Sequence, residues 1–318
     1  MTVLRHGGLR WCVRRQGFEC RTVAPPRLGK TRCGGASLRL HLTGSPTMAD
    51  LRNVTDTPKG VVGPKAINQR FRLNRYYPRA ELAGVLDHHW IVEWDLRGQP
   101  PYVQRTLPYP CVNVVFDRRQ TGIFGVVSGA FETTLAGAGR VIGMRFRPGA
   151  FRAFFGKPVH LTTDKVLPVS TLFDCGDAEA EAAVLGAGDD AEMVAAAEAL
   201  LLRVLPPPDP QVERIHAILQ MLQQDIGLTQ VRDLAGRAGL SERTLQQLFS
   251  SHVGVTPKWV IRRYRLHEAA DKLAGGEAVD LAELAQALGY FDQAHFTRDF
   301  RKLVGKAPAE YRREDGRG

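Results

Sequence analysis

The chain has 318 residues, with 44% hydrophobic residues and a formal net charge of +10. That length allows about two domains with sizeable cores. No run of about 18 apolar residues occurs, which excludes a hydrophobic membrane-spanning helix. The charge is uneven. Residues 1–47 hold nine Arg or Lys and one acid, Glu19, so they carry +8 of the +10 and leave +2 for the rest. The global basicity is therefore weak evidence for a nucleic-acid partner.

The opening segment is rich in Arg and Gly and holds Cys12, Cys20 and Cys33. It has no apolar core of the secretory type. Met48 opens a more ordinary sequence, so translation is read as starting there. Residues 1–75 are assigned to a disordered or mis-annotated extension and a mobile lead-in. Beyond Met48 the cysteines are Cys111 and Cys175, with no zinc spacing and no disulfide framework. A reducing cytoplasm is the expected compartment. No cofactor is implied.

Residues 76–176 change character. The runs 85–96, 102–117, 121–129 and 140–156 are rich in Val, Ile, Phe and Trp, broken by Gly, Pro and Asp. These are strand signals of antiparallel type. After Arg147, a Pro-Gly turn leads into a short helix. The expected fold is α+β, with a mainly antiparallel sheet (a curved sheet or an open barrel) plus helices. His88 and His89 are adjacent, so on a strand they point to opposite faces and cannot share one interior metal. One of them with His160 and Asp87 remains a metal alternative. Cys111 reads as a buried core residue. Arg145 and Arg147 alternate about Phe146. They are either an anionic effector site or a solvated sheet face.

Residues 177–210 form a connector. Two Ala-rich helical patterns are split by GAGDD (186–190), and PPPDP (206–210) ends the segment. Three prolines stiffen the chain. The helices either dimerise the protein or cover one face of the sheet.

Residues 211–318 are read as all-α, with two helix-turn-helix units joined by a long helix. The units are 231–249 and 281–300. In each, a small residue (Ala235, Ala285) is followed four positions later by glycine (Gly239, Gly289). Glycine permits the left-handed backbone of a tight interhelical turn. The two turns differ in length by one residue. Between the units, residues 257–274 begin with Pro and end before Gly275 and Gly276, the punctuation of a helix. Such a helix is about 25 Å long, which suits successive major grooves about 34 Å apart.

This segment resembles the DNA-binding domain of the AraC/XylS family of bacterial transcription regulators. The run GYFDQAHFTRDFRKLVGKAPAEYRR (289–313) carries the paired aromatics, the Phe-x-x-x-Phe recognition helix, the Gly-x-x-Pro turn and the closing Tyr-Arg. The resemblance covers about a third of the chain. It implies a seven-helix domain that binds duplex DNA near promoters. The stretches LPYPCVNVVF and GMRFRPGAF in turn resemble a family of unassigned function often joined to such regulators.

In the first unit, Arg243, Gln246 and Gln247 share one helical face, with chemistry suited to guanine and adenine edges. The resemblance makes them base readers, with Ser241 as N-cap and phosphate contact. In the second unit the corresponding face is Gln293, Ala294, Thr297 and Arg298, with Asp299 adding a negative charge on the DNA side. Arg301 and Lys302 are expected phosphate contacts. Arg262, Arg263 and Arg265 are divided between phosphate contact and solvated pairing with Glu268 and Asp271; Arg262 and Arg263 are assigned to phosphate. Residues 211–318 hold 16 basic and 14 acidic side chains, so placement must create the positive face.

The function expected is a sequence-specific transcription regulator, not an enzyme. Its N-terminal domain would sense a small-molecule effector or form a homodimer. Double-stranded DNA and RNA polymerase are the partners, with no membrane. Two alternatives stand beside it. One is an enzyme or DNA-repair protein using the helical module for targeting. The other is an effector-free architectural DNA-binding protein.

Overall fold

In this computed structural model the described residues are 51–56, 67, 69–275 and 280–315, with a short strand pair, β1 (Arg5–His6) and β2 (Leu9–Arg10). The chain divides into two units, Met1–Arg39 and Leu40–Gly318. The start-site reading at Met48 and Cys12, Cys20 and Cys33 lie outside the described residues. The sheet domain and the helical domain both lie within the second unit.

The sheet domain is built on two long neighbours, β4 (Leu86–Leu96) and β9 (Gly137–Phe146), paired antiparallel along their whole length. Around them run β3 (Arg72–Tyr76), β6 (Asn113–Phe116), β7 (Gly122–Phe124) and β10 (Val166–Leu167). The six strands form one open sheet in the order β10-β7-β6-β9-β4-β3, with every neighbour antiparallel. A separate ribbon pairs β5 (Tyr102–Thr106) with β8 (Phe131–Leu135). The run 102–117 is thus two strands in two sheets, with a turn-rich segment between them.

Strand β4 is apolar on both sides because both are covered. Ile91 faces a core completed by helices α1 (Phe151–Phe155), α2 (Asp177–Leu185) and α3 (Asp190–Leu202). Trp90, Val92, Trp94 and Leu96 face the second cluster, which Leu135 and Tyr102 of the ribbon help to close. A bulge between Leu86 and His88 returns Leu86 to the helix side. The indoles of Trp90 and Trp94 lie on their cross-strand partners, Gly143 and Gly139, and a Cβ at either glycine would overlap the ring. Only glycine admits that approach.

One expectation is corrected. Arg72–Tyr76, all but its last residue inside the segment read as a mobile lead-in, is an edge strand, and Asn53 bridges to Tyr76. Of the two readings of the Ala-rich helices, cover for the sheet is the one observed: they join its core through Ala180, Val184, Met193, Val194, Ala197 and Leu201. Helix α3 is fastened by two buried carboxylates. Asp190 accepts from Asn74 Nδ2 (2.8 Å) and Tyr76 Oη (2.7 Å) and pairs with Arg140. Glu198 accepts from the Arg79 backbone N–H (3.0 Å), Arg79 Nε (2.9 Å) and His89 Nε2 (3.0 Å). Burial pushes the Glu198 carboxyl up, but the His89 hydrogen bond and the His89 and Arg79 charges hold it below its ordinary value.

The helical domain runs through α4 (Pro210–Gln224), α5 (Val231–Arg237), α6 (Glu242–Leu248), α7 (Pro257–Ala274), α8 (Leu281–Ala287), α9 (Gln293–Val304) and α10 (Pro308–Asp315). Asp209, Ser241, Thr256, Asp280 and Asp292 each cap a helix with a side-chain oxygen. Beyond α6 the chain continues as a π-helical turn, Phe249–Val253. Among the described residues no helix is long and apolar enough to cross a membrane.

Candidate nucleic-acid interface

The two helix-turn-helix units close their turns with the same bonds. Leu240 N–H donates to Ala235 O, and Tyr290 N–H donates to Ala285 O, each at 2.9 Å. Gly239 has φ +64 and Gly289 φ +78. A 6→1 bond with a left-handed glycine satisfies the last carbonyls of the first helix and turns the chain toward the second. The extra residue of the second turn is Phe291, the second of the paired aromatics. Its side chain is 96% exposed.

Each unit locks its recognition helix from the inner side. Leu245 and Leu248 are buried among Leu234, Ala235 and Phe249. Phe296 and Phe300 are buried among Leu284, Ala285 and Tyr311. The outer faces are open. On α6, Arg243, Gln246 and Gln247 are all exposed. On α9, Gln293, Ala294 and Arg298 are exposed and Thr297 is half-buried. Arg301 and Lys302 also reach solvent. Ser241 Oγ accepts from Thr244 N–H (3.1 Å), so its oxygen already serves as the α6 cap.

The connecting helix α7 differs from expectation. Arg262 is half-exposed and pairs with Asp299, a bond that raises the guanidinium pKa further. Asp299 therefore turns toward α7 rather than toward the reading side; its side chain is 11% exposed. His295 lies 3.7 Å from the same carboxylate and edges onto Tyr290. Arg263 is only 3% exposed. It donates to Ser128 O (2.9 Å) and Gly129 O (3.0 Å) and stacks on Trp259, whose Nε1 also donates to Ser128 O (3.0 Å). Burial, then the Arg262 charge, pushes Arg263 down to about 10. The assignment of Arg263 to phosphate is corrected: the guanidinium is buried and bonded through Nη2 to the sheet domain. Arg265 is equally buried and donates to Leu222 O and Asp225 O, closing the end of α4. It is not a solvated partner of Glu268.

The effector candidates also lie where the two domains meet. The Arg145 guanidinium sits 4.3 Å from the Tyr109 ring and 3.4 Å from Asp87. Tyr109 packs on His267 of α7 with ring centroids 4.2 Å apart. Arg147, just past β9, donates to Glu213 of α4 (2.7 Å). Neither arginine is a solvated sheet face. His88 lies beside Asp87 and His89 bonds Glu198, so the pair does point to opposite sides. Among the described residues no group of three metal-ligating side chains comes together. Cys111 is buried, and burial pushes its thiol up.

One open crevice of about 750 Å³ adjoins the first reading face. It is lined by Arg243, Gln246 and Ser250, by Arg214 of α4, and by Pro158 and His160 of the sheet domain. The sequence carried no signal for this meeting, because 90 residues separate His160 from Ser250.

Residues 74–168 match a family described as a domain of unknown function, DUF6597. Residues 234–314 match a family described as a helix-turn-helix domain. The chain is similar to the transcriptional activator NphR of Rhodococcus sp, with 32% identity over 104 residues, 33% of this chain and 30% of that protein. It is similar to the HTH-type transcriptional activator RhaS of Pectobacterium carotovorum subsp. carotovorum, with 31% identity over 144 residues, 42% of this chain and 51% of that protein. The matches thus span about a third and about half of the lengths of these relatives. Among solved structures, the C-terminal domain of AraT, a response regulator from Geobacillus stearothermophilus, aligns at 20% identity over 35% of this chain and 92% of that one, with a TM-score of 0.32. The two matched segments, 74–168 and 234–314, lie in the sheet domain and the helical domain respectively.

Proposed function

We propose that the chain is a sequence-specific, duplex-DNA-binding regulator of transcription. The observation that carries this reading is the pairing of a locked inner face with an open polar outer face on both α6 and α9. Arg243 reads guanine O6 and N7, and Gln246 and Gln247 read adenine N6 and N7. On α9, Gln293, Thr297 and Arg298 form a second face with fewer base-reading groups. Arg301, Lys302 and the outer side of Arg262 hold phosphates. The Ser241 hydroxyl, engaged as a cap, adds a phosphate contact through its proton. The 18 residues of α7 span about 27 Å, a length that suits two recognition helices in successive major grooves.

Support for a transcriptional role, and for activation as its direction, comes from relatives named as transcriptional activators. The sheet domain bears directly on α7 through Arg263, Trp259 and Tyr109. A ligand or a second copy that altered this contact would shift the helical domain between arrangements of different DNA affinity. RNA polymerase is the partner on which an activator acts.

The test is selection of duplexes from a random-sequence pool by the full chain, followed by Arg243→Ala with Gln246→Ala. Each lost bidentate contact removes roughly 1–3 kcal/mol of base discrimination. Site preference should relax at the contacted positions. Unchanged preference in the double variant would place the reading face elsewhere.

A further inference from the structure

The crevice beside α6 joins the first reading face to a turn of the sheet domain. That turn, the 3-10 segment Val159–Thr162, is held against the end of the recognition helix. Thr163 Oγ1 donates to Gly254 O (2.7 Å). Gly254, at φ +97, has Val159 so close that a Cβ there would sit 3.1 Å from Val159 Cγ1. His160 stands exposed at the rim, with Nδ1 3.3 Å from Ser250 Oγ. From the other side Arg214 of α4 reaches the same crevice, exposed and without an ion pair among the described residues. The neighbouring acid, Glu213, is engaged by Arg147.

Dimensions assign the space. A helix with side chains is about 10–12 Å across. The major groove is about 12 Å wide. A helix seated there fills it, so whatever touches the flank of that helix stands at the sugar-phosphate wall. His160 meets the π-helical turn that continues α6, through Ser250, and Arg214 shares the crevice with Arg243 of α6 itself.

On the reading of the chain as a duplex-DNA binder, we propose that this crevice is a DNA-phosphate subsite, with His160 and Arg214 as the contacting residues. The DNA interface then extends from the helical domain onto the sheet domain. A phosphate oxygen selects the tautomer in which His160 Nδ1 accepts from the Ser250 hydroxyl and Nε2 carries the proton toward the DNA. Arg214 supplies the charge. Both contacts are blind to base identity.

The experiment uses the full chain and a duplex that it has enriched from a random-sequence pool, with a scrambled duplex beside it. Affinity is measured over a range of salt for the wild type, His160→Ala, His160→Glu and Arg214→Ala. Both side chains are exposed, so unchanged thermal unfolding is expected in every variant. His160→Ala and Arg214→Ala should each weaken binding roughly three- to tenfold, to the same degree on both duplexes. His160→Glu should weaken it more. Arg214→Ala should make the slope of log affinity against log salt shallower by about 0.9. Wild-type affinity and slope in both alanine variants would overturn the subsite while leaving the functional reading intact. A gain in affinity on His160→Ala would overturn it too, making the turn an obstruction to DNA. Failure of the wild type to enrich any duplex would overturn the reading on which the subsite rests.

Discussion

Arg262 and Arg263 are adjacent on α7, yet one meets solvent and Asp299 while the other is sealed beneath the sheet domain. The helix's turn of about 100° per residue separates them, and burial decides their chemistry. Burying a guanidinium costs free energy that hydrogen bonds offset, and Arg263 uses Nη2 on two backbone carbonyls while Nη1 is left without a partner. Arg263→Ala strips Gly129 O of its side-chain partner, leaves Ser128 O with Trp259 Nε1 alone, and empties the place under Trp259. The expected cost is roughly 1.5–3 kcal/mol of stability, read by urea denaturation. Arg298→Ala, on the open face of α9, should stay within about 0.5 kcal/mol of wild type in the same assay. Equal stability losses would contradict this division of labour. At this scale the sequence distinguishes amphipathic sides well but not which neighbour covers them. That is why Arg243, Gln246 and Gln247 stand where their spacing put them, whereas Arg263 and Asp299 do not.

Helix α3 shows what an Ala-rich element does when it is placed over a sheet. Its small side chains allow close approach, and two of its three acids, Asp190 and Glu198, become clamps rather than a solvated face. Asp190 and Glu198 both have carboxyl groups held below their ordinary values. For each, burial pushes up, but the hydrogen bonds prevail: from Asn74, Tyr76 and Arg140 to Asp190, and from His89 and Arg79 to Glu198. A carboxyl with a depressed folded pKa contributes stability that is present above its unfolded value and is lost as pH falls through the folded one. The sheet domain should therefore keep its stability down to the ordinary carboxylate range, near about pH 4, and lose it below that. Glu198→Ala leaves His89 buried without its acceptor and should cost about 3–5 kcal/mol at neutral pH. It should also flatten the acid limb of the denaturation profile. An acid limb identical to the wild type's would place the titrating clamp elsewhere. The composition of α3 was legible; its partners were not, since Asn74 and Tyr76 lie more than a hundred residues away.

Across the whole second unit, the sheet domain enters the cores of the helical one. Val126 belongs to the core of the first helix-turn-helix unit and Leu107 to that of the second. Leu107 comes from the turn-rich segment between β5 and β6, where the composition suggests continuous strand. Leu107→Ala should cost about 2–5 kcal/mol by transfer and cavity formation. The loss should appear in the helical domain, as faster amide hydrogen exchange in α8 and α9. Exchange confined to the sheet domain would refute this interlock.

What the sequence determined by itself is local. Glycine at two turns, acids and hydroxyls at helix starts, prolines at helix entries and apolar side chains at helical spacing each act through bonds within a few residues. They specify two helix-turn-helix units, their inner and outer faces, and an antiparallel sheet. Tertiary structure alone decided the pairing of β3 with β4, the placing of α2 and α3 in the sheet core, the burial of Arg263, and the crevice shared by His160, Arg214 and Arg243. Each depends on residues well separated along the chain, in places by more than a hundred positions. The free energy there comes from excluding water between whole surfaces, and no short stretch of chain encodes which surface will arrive.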